Sequence, residues 1–290
     1  MIIAISGKIG SGKDTVGKII QYLTAQNEAV LDINMPDREY WINISYEDYF
    51  KHKMIAHKWK IKKFADKLKD IICLLINCTR EQLEDESFKS KELGEEWWYW
   101  YMKLDGGYSP IILDYLTTTK KELKNYEGLE LVKPTPRFLL QFIGTNLLRN
   151  QLHPEIWVNS LMNEYKPLSN LCEHYTQAWV NGIGNCLCNI SHKQSEGFKT
   201  MCEVESKYPN WIITDTRFEN ELKAVKERSG ITIRVVRPVH ALSQKNHCGI
   251  LHPSETALDN AEFDEIVDNS GTIEELIEQI KQILIKRKII

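Results

Sequence analysis

Apolar positions along this chain keep switching between two rhythms. Ile2-Ile3-Ala4-Ile5 is an unbroken apolar run of strand length, and Val16, Ile19, Ile20 and Leu23 then recur at helical spacing. Ile61 to Phe64 reads as a short strand, followed by a helix whose stripe is Leu68, Ile71, Ile72 and Leu75. Thr135-Pro136 announces another helix, a hydroxyl at the cap and proline at the first helical position. That helix carries Leu139, Leu140, Phe142, Ile143, Leu147 and Leu148, and Pro154 opens the next, with Ile156, Trp157, Leu161 and Met162. Trp211 to Asp215 is an apolar strand ending in a carboxylate, and Thr216 with Glu219 predicts a capping box. The helix so capped carries Phe218, Leu222 and Val225 and stops at Gly230. Ile231 to Val236 alternates β-branched residues with Arg234 and ends at Arg237-Pro238. Glu265 to Asp268 predicts a last strand, and Thr272 with Glu275 caps a helix striped by Ile273, Leu276, Ile277, Ile280, Ile283 and Leu284.

Strands alternating with helices predict an α/β fold, a parallel sheet covered on both faces. Ligands of such sheets bind beyond the carboxyl ends of the strands. Three stretches show no clean period: 27–60, the acidic then aromatic 79–101, and 166–208. The last holds four of the seven cysteines and reads as an irregular insertion. The run Trp97 to Tyr101 predicts core and lobe packing, because five aromatics in a row cannot all face one ligand.

Composition narrows the class. At 290 residues the chain can bury a full core, and its net charge of −3 excludes the basic footprint of a general nucleic-acid binder. No window approaches the roughly 18 apolar residues that span a bilayer. Seven cysteines, an odd number, and an N-terminus that starts as a core strand predict reduced thiols and a cytoplasmic protein. For a viral chain that cytoplasm would be the host's.

The candidate chemistry begins between the first strand and the first helix. Gly7-Lys8-Ile9-Gly10-Ser11-Gly12-Lys13-Asp14-Thr15 fits the phosphate-binding loop pattern except that Asp14 stands where the hydroxyl is expected and Thr15 follows it. Glycines at 7, 10 and 12 let the backbone of the loop, Ser11 included, wrap a phosphate, and the helix after it adds the positive end of its dipole. Lys13 would reach the β- and γ-phosphates. The displaced hydroxyl is a mark of nucleoside monophosphate kinases and related small-molecule kinases. The alternative is a glycine-rich turn with no ligand. Asp215, at a strand end, reads as a Mg²⁺ carboxylate or as a plain helix cap, with Arg217 and Glu221 close behind it. Candidate cations for a transferring phosphoryl group are Lys13, Lys69, Arg137, Arg149, Arg217 and Arg237. Arg137 stands out because a cation in the first turn of a helix opposes the dipole and so suggests an anionic ligand.

Six blocks occur in order: Gly12-Lys13-Asp14-Thr15, Phe64 to Lys69, Thr135-Pro136-Arg137 through Gly144-Thr145, His153 to Asn159, Ile213 to Glu221, and Asp268 to Thr272. As a set they resemble the phage-type deoxynucleoside monophosphate kinase family, over nearly the whole chain apart from 27–60 and the cysteine-containing insertion. The resemblance implies a P-loop NTPase three-layer sandwich, with a helical substrate lobe at about 65–165 and the insertion at 166–208, all within one domain. It implies transfer of the ATP γ-phosphate to a deoxynucleoside 5′-monophosphate, with Mg²⁺. Gly7, Gly10, Ser11, Gly12, Lys13, Thr15 and Arg237 would hold ATP, with Thr15 and Asp215 at the metal. Lys13, Asp14, Asp215 and Arg217 would form the reacting centre. Lys69, Arg137, Gly144, Thr145, Trp157 and Glu221 would bind the monophosphate, and a homodimer is a further implication.

Other readings stay open at this stage. Trp157 can stack on a base or fill a core, and the block around Lys69 can simply pack a helix. Residues 239–255 lie where related kinases place a lid. Cys172, His174, Cys186, Cys188, His192 and Cys202 offer a zinc site without any C-x-x-C pair. Another small-molecule kinase, resembling adenylate kinase or dephospho-coenzyme-A kinase, and an ATPase switch acting through partner binding are the alternative functions.

Overall fold

The computed structural model describes residues 1–31, 37–51, 58–102, 129–168, 208–238 and 255–290. Two compact units divide the chain, one made of residues 1–64 with 158–290 and the other of 65–157.

The first unit is built on a five-stranded parallel sheet. Its strands are β1 (Ile2–Ser6), β2 (Trp59–Lys62), β5 (Asn210–Thr216), β6 (Ile231–Val236) and β7 (Glu265–Asp268), in the spatial order β2-β5-β1-β6-β7. The apolar run at the N-terminus takes the central place, and every residue of β1 is buried. Helix α1 (Lys13–Leu31) buries Val16, Ile19, Ile20 and Leu23, the four positions its period predicts. They pack with Ile3 and Ile5 of β1 and with Leu276, Ile280 and Leu284 of the last helix, α10 (Ile273–Lys286). Ile2 and Ala4 point the other way, as strand alternation requires. Helix α9 (Glu219–Lys226), with Leu222 and Val225 buried, lies against β1 and β6. The predicted α/β architecture with a parallel sheet is therefore present.

Both ends of the last helix follow simple rules. Thr272 accepts from the Glu275 amide at 3.3 Å while Glu275 accepts from the Thr272 amide at 3.0 Å, the predicted capping box. Thr272→Ala should lower the unfolding free energy by about 1 kcal/mol, measured by denaturant titration. At the start of β7, Asp264 Oδ2 accepts from the amide and hydroxyl of Thr232 at 2.8 and 2.6 Å. Burial pushes the Asp264 carboxyl upward, but these bonds with Arg287 and Lys226 outweigh it and hold it below its ordinary value. Glu265, paired with Lys286 and Arg287, is depressed in the same way. A depressed folded pKa contributes stability above the unfolded value and loses it as pH falls through the folded one. The melting temperature should therefore fall below about pH 4. Asp264→Asn should start lower at neutral pH and lose less on acidification.

Where no period was readable, aromatic packing takes its place. After α1 come two short helices, α2 (Arg38–Asn43) and α3 (Tyr46–Tyr49). Tyr22 of α1 sits edge-to-face with Tyr46 and Tyr49, at centroid distances of 5.6 and 5.5 Å. Tyr49 is 1% exposed.

The second unit contains α4 (Asp66–Ile76), α5 (Arg80–Glu84), α6 (Glu86–Ser90), a 3₁₀ turn (Glu95–Trp97) and α7 (Pro136–Gln141). It also holds an antiparallel pair, β3 (Tyr99–Met102) with β4 (Leu129–Val132). Sequence pattern did not show this pair. Thr135 caps α7 as predicted, accepting from the Phe138 amide at 3.1 Å. The predicted helix does not continue in α form: Phe142–Leu152 is a π-helical stretch, and the last helix to begin from this unit is α8 (Ile156–Met162). Of the stripe on α4, Leu68 and Ile72 are buried while Ile71 and Leu75 are exposed.

Residues 169–207 of the insertion, with its candidate zinc ligands, lie outside the described residues, as do 239–254 of the lid reading. Among the described residues no helix is long and apolar enough to cross a membrane.

Candidate functional site

The glycine loop leaves the carboxyl end of the central strand and turns directly into α1. Gly10 and Gly12 have φ of 75° and 94°, a region that costs a residue with a Cβ. At Gly12 a Cβ would also lie 2.3 Å from Nδ2 of Asn269. That asparagine follows β7 and donates to the Ser11 carbonyl at 2.8 Å, so the end of a strand two places away in the sheet braces the loop. Ser11 is 1% exposed, and among the described residues its hydroxyl has no hydrogen-bond partner. The first intrahelical amide, Val16, bonds to Gly12 at 2.9 Å. The amides of Lys13, Asp14 and Thr15 thus belong to the first turn, where helix geometry supplies no intrahelical acceptor.

Lys13 Nζ folds back on the loop and donates to the carbonyls of Gly7 and Lys8, both at 2.8 Å. Burial and the guanidinium of Arg217 lower its pKa to about 8, against the opposing pull of Glu255, Asp14 and Asp215. Two cations are thus held together among three carboxylates.

A slip of register in the sheet shapes the neighbouring strand end. Ala4 pairs with Ile213, yet Ser6 pairs with Thr216, so Thr214 and Asp215 together stand opposite Ile5. A bulge of this kind redirects side chains and is common beside active sites. Thr214 donates its hydroxyl to Asp14 Oδ1 at 2.6 Å, and Lys63, just past β2, reaches the same oxygen at 3.1 Å. Burial raises the Asp14 carboxyl, but the Thr214 hydrogen bond and Lys63 outweigh it and hold the group ionised. Gly17 makes this contact reachable, because a Cβ there would lie 2.7 Å from the Thr214 methyl. Asp215 accepts from the Phe64 amide at 2.8 Å.

The bulge also corrects the predicted helix start. Thr216 still belongs to β5, and α9 begins at Glu219 with Phe218 before it, so Thr216 and Glu219 form no box. Glu221, a substrate candidate by sequence, is 2% exposed, and its carboxylate accepts from the amides of Arg217 at 2.8 Å and Phe218 at 3.2 Å.

Arg217 is paired with Glu255, whose other oxygen accepts from the Ile9 amide at 3.0 Å. Lys8 donates to the Glu255 carbonyl at 2.6 Å and pairs with Asp259, which also meets Arg234 at 3.2 Å. Arg234 in turn donates to Ser6 at 3.0 Å. Arg237, the sequence candidate, is exposed just past the end of β6. Thr15 is half-buried in the first turn of α1.

The remaining candidates all lie in the second unit. Arg137 pairs with Glu86, and among the described residues its buried Nε has no hydrogen-bond partner. Lys69 pairs with Glu84. Trp157 is 5% exposed and donates its indole N–H to the Gly144 carbonyl at 2.8 Å. At Gly144 a Cβ would lie 2.5 Å from Leu68. Thr145, next in the chain, is half-buried.

Pattern reading missed Lys63, Thr214 and Asn269 as parts of the loop's surroundings. Each lay within or beside a block already singled out, which was the available signal. Among the described residues no group of three or more His, Cys, Asp or Glu side chains gathers as a metal cage.

No family model matches the chain. A protein of Acanthamoeba polyphaga mimivirus, named "Putative deoxynucleotide monophosphate kinase", is 29% identical over 147 residues, which is 50% of this chain. The chain spans 59% of that relative's length.

Proposed function

We propose that this chain is a P-loop kinase that transfers the γ-phosphate of ATP to deoxynucleoside 5′-monophosphates. The observation that carries the reading is the convergence of Lys13, Arg217, Asp14 and Asp215 around the glycine loop at the carboxyl ends of β1 and β5. A loop amide, that of Ile9, holds a carboxylate together with Arg217, which supports reading the loop as a place for anions. The named relative supports the acceptor class.

Thr15 and Asp215 are the residues that would hold Mg²⁺. A hydroxyl and a carboxylate are the hard oxygen donors this ion prefers, with water and phosphate completing the shell. Bound there, the ion would neutralise charge on the β- and γ-phosphates. The chain's own residues do the rest. Amides of the loop and of the first turn of α1 orient the phosphates. Lys13 and Arg217 stabilise charge on the moving group, in a place where neither has to reorganise. Asp14, fixed by Lys63 and Thr214, stands beside them as an oriented anion. Arg137, Lys69, Gly144, Thr145 and Trp157 are assigned to the acceptor by resemblance, with Trp157 and Gly144 shaping its pocket through packing.

A chromatographic assay tests the reading: ATP and Mg²⁺ with each of the four dNMPs, and with AMP and dephospho-coenzyme A as rival acceptors. Formation of at least one dNDP is expected. Hydrolysis of ATP with no phosphorylated product from any of these acceptors would leave only the switch reading standing.

A further inference from the structure

Glu255 itself has no role in the assignment above. Its side chain is 11% exposed, one oxygen engages Arg217 and the other accepts from the Ile9 amide at 3.0 Å. Its own carbonyl is gripped by Lys8 at 2.6 Å, and Lys8 is anchored again by Asp259. A carboxylate tied at both ends in this way links the residue after the β5 bulge to the outer turn of the glycine loop.

We propose that Glu255 is the positioning residue for Arg217, clamping its guanidinium to the glycine loop beside the place of phosphoryl transfer. This rests on the kinase reading and adds to it a residue that touches neither substrate. The reasoning is geometric. An arginine side chain has many rotamers, and its use in a transition state depends on having few. Glu255 removes that freedom by fixing one edge of the guanidinium against a carboxylate whose other oxygen is fixed by backbone. Lys13 is left with its contacts to Gly7 and Lys8, and the amides of the first turn of α1 are not engaged by Glu255. The clamp is therefore compatible with phosphates in the loop, unlike a carboxylate that occupied those amides itself.

The test is a double-mutant cycle of Glu255→Gln and Arg217→Met, read as turnover with ATP and a dNMP, as equilibrium ATP binding, and as melting temperature without nucleotide. Glu255→Gln should lower kcat about tenfold to a hundredfold, while ATP binding changes by less than about threefold. In the Arg217→Met background it should lower kcat no further, and the two melting shifts should be non-additive, because both remove one interaction. Glu255→Asp keeps the charge but is one methylene short, so its loss should be intermediate. It also serves as the variant to measure if Glu255→Gln does not fold. Tighter ATP binding with undiminished kcat would overturn the proposal, by showing that Glu255 competes with phosphate. Additive losses would overturn it too. If the wild-type protein forms no dNDP, the kinase reading falls and this role falls with it. An active wild type with an equally active Glu255→Gln defeats this inference alone.

Discussion

Lys13→Ala is expected to reduce phosphoryl transfer at least about a hundredfold, with the melting temperature kept at or above that of the wild type. The first half follows from position. Lys13 is held on the Gly7 and Lys8 carbonyls at the mouth of α1, beside the proposed place of the triphosphate. Removing one preorganised charge from such a site typically costs a hundredfold to a thousandfold in rate, about 3–4 kcal/mol. The second half follows from burial. Lys13 is partly desolvated beside Arg217, which is why its pKa falls to about 8. The charge is therefore carried at a cost in the free protein, and its loss relieves that cost. Lys13→Arg should recover only part of the activity, since a planar guanidinium cannot replace a compact ammonium in the same space. Steady-state kinetics and a thermal melt on the same sample check both halves. A strongly destabilised Lys13→Ala would contradict this account of the loop.

Trp157→Ala carries the largest expected loss of stability, about 3–5 kcal/mol. The side chain is buried, and its indole N–H satisfies the Gly144 carbonyl. Trp157→Phe would keep most of the volume but lose that hydrogen bond, at about 0.5–1.5 kcal/mol. Denaturant unfolding separates the two variants. The same pair tests the stacking alternative. If Trp157 acts by packing, the Phe variant should lose stability with little change in KM for the monophosphate. A KM effect without a stability effect would restore base stacking as its role.

The regular parts of the fold were legible because local pattern decides them. β1 and α1 read correctly from an unbroken apolar run followed by a 3.6-residue stripe, and Thr272 with Glu275 marked the start of α10. The glycine loop was legible as a motif, together with the strand ends around it. Its supports were not, because they arise from register and long-range packing. A single extra residue in β5 turns Thr214 toward Asp14 and keeps Thr216 in the strand, and one-residue bulges leave no periodic trace. The predicted cap at Thr216 also failed, because β5 runs through Thr216 and α9 begins only after Phe218. Asn269 and Glu255 reach the loop from 258 and 246 residues away, and neither contact has a local signature. Helices as short as α3 cannot display a period, and edge-to-face aromatic contacts to Tyr22 secure that region instead.

The central claim is that the glycine loop serves transfer to a nucleotide acceptor rather than hydrolysis. It is tested most directly by following the γ-phosphate itself, with γ-labelled ATP, Mg²⁺ and each dNMP. The account predicts that label enters the β-position of a dNDP, and that Lys13→Ala abolishes this transfer. Label appearing only as inorganic phosphate, at a rate indifferent to every dNMP, would contradict it.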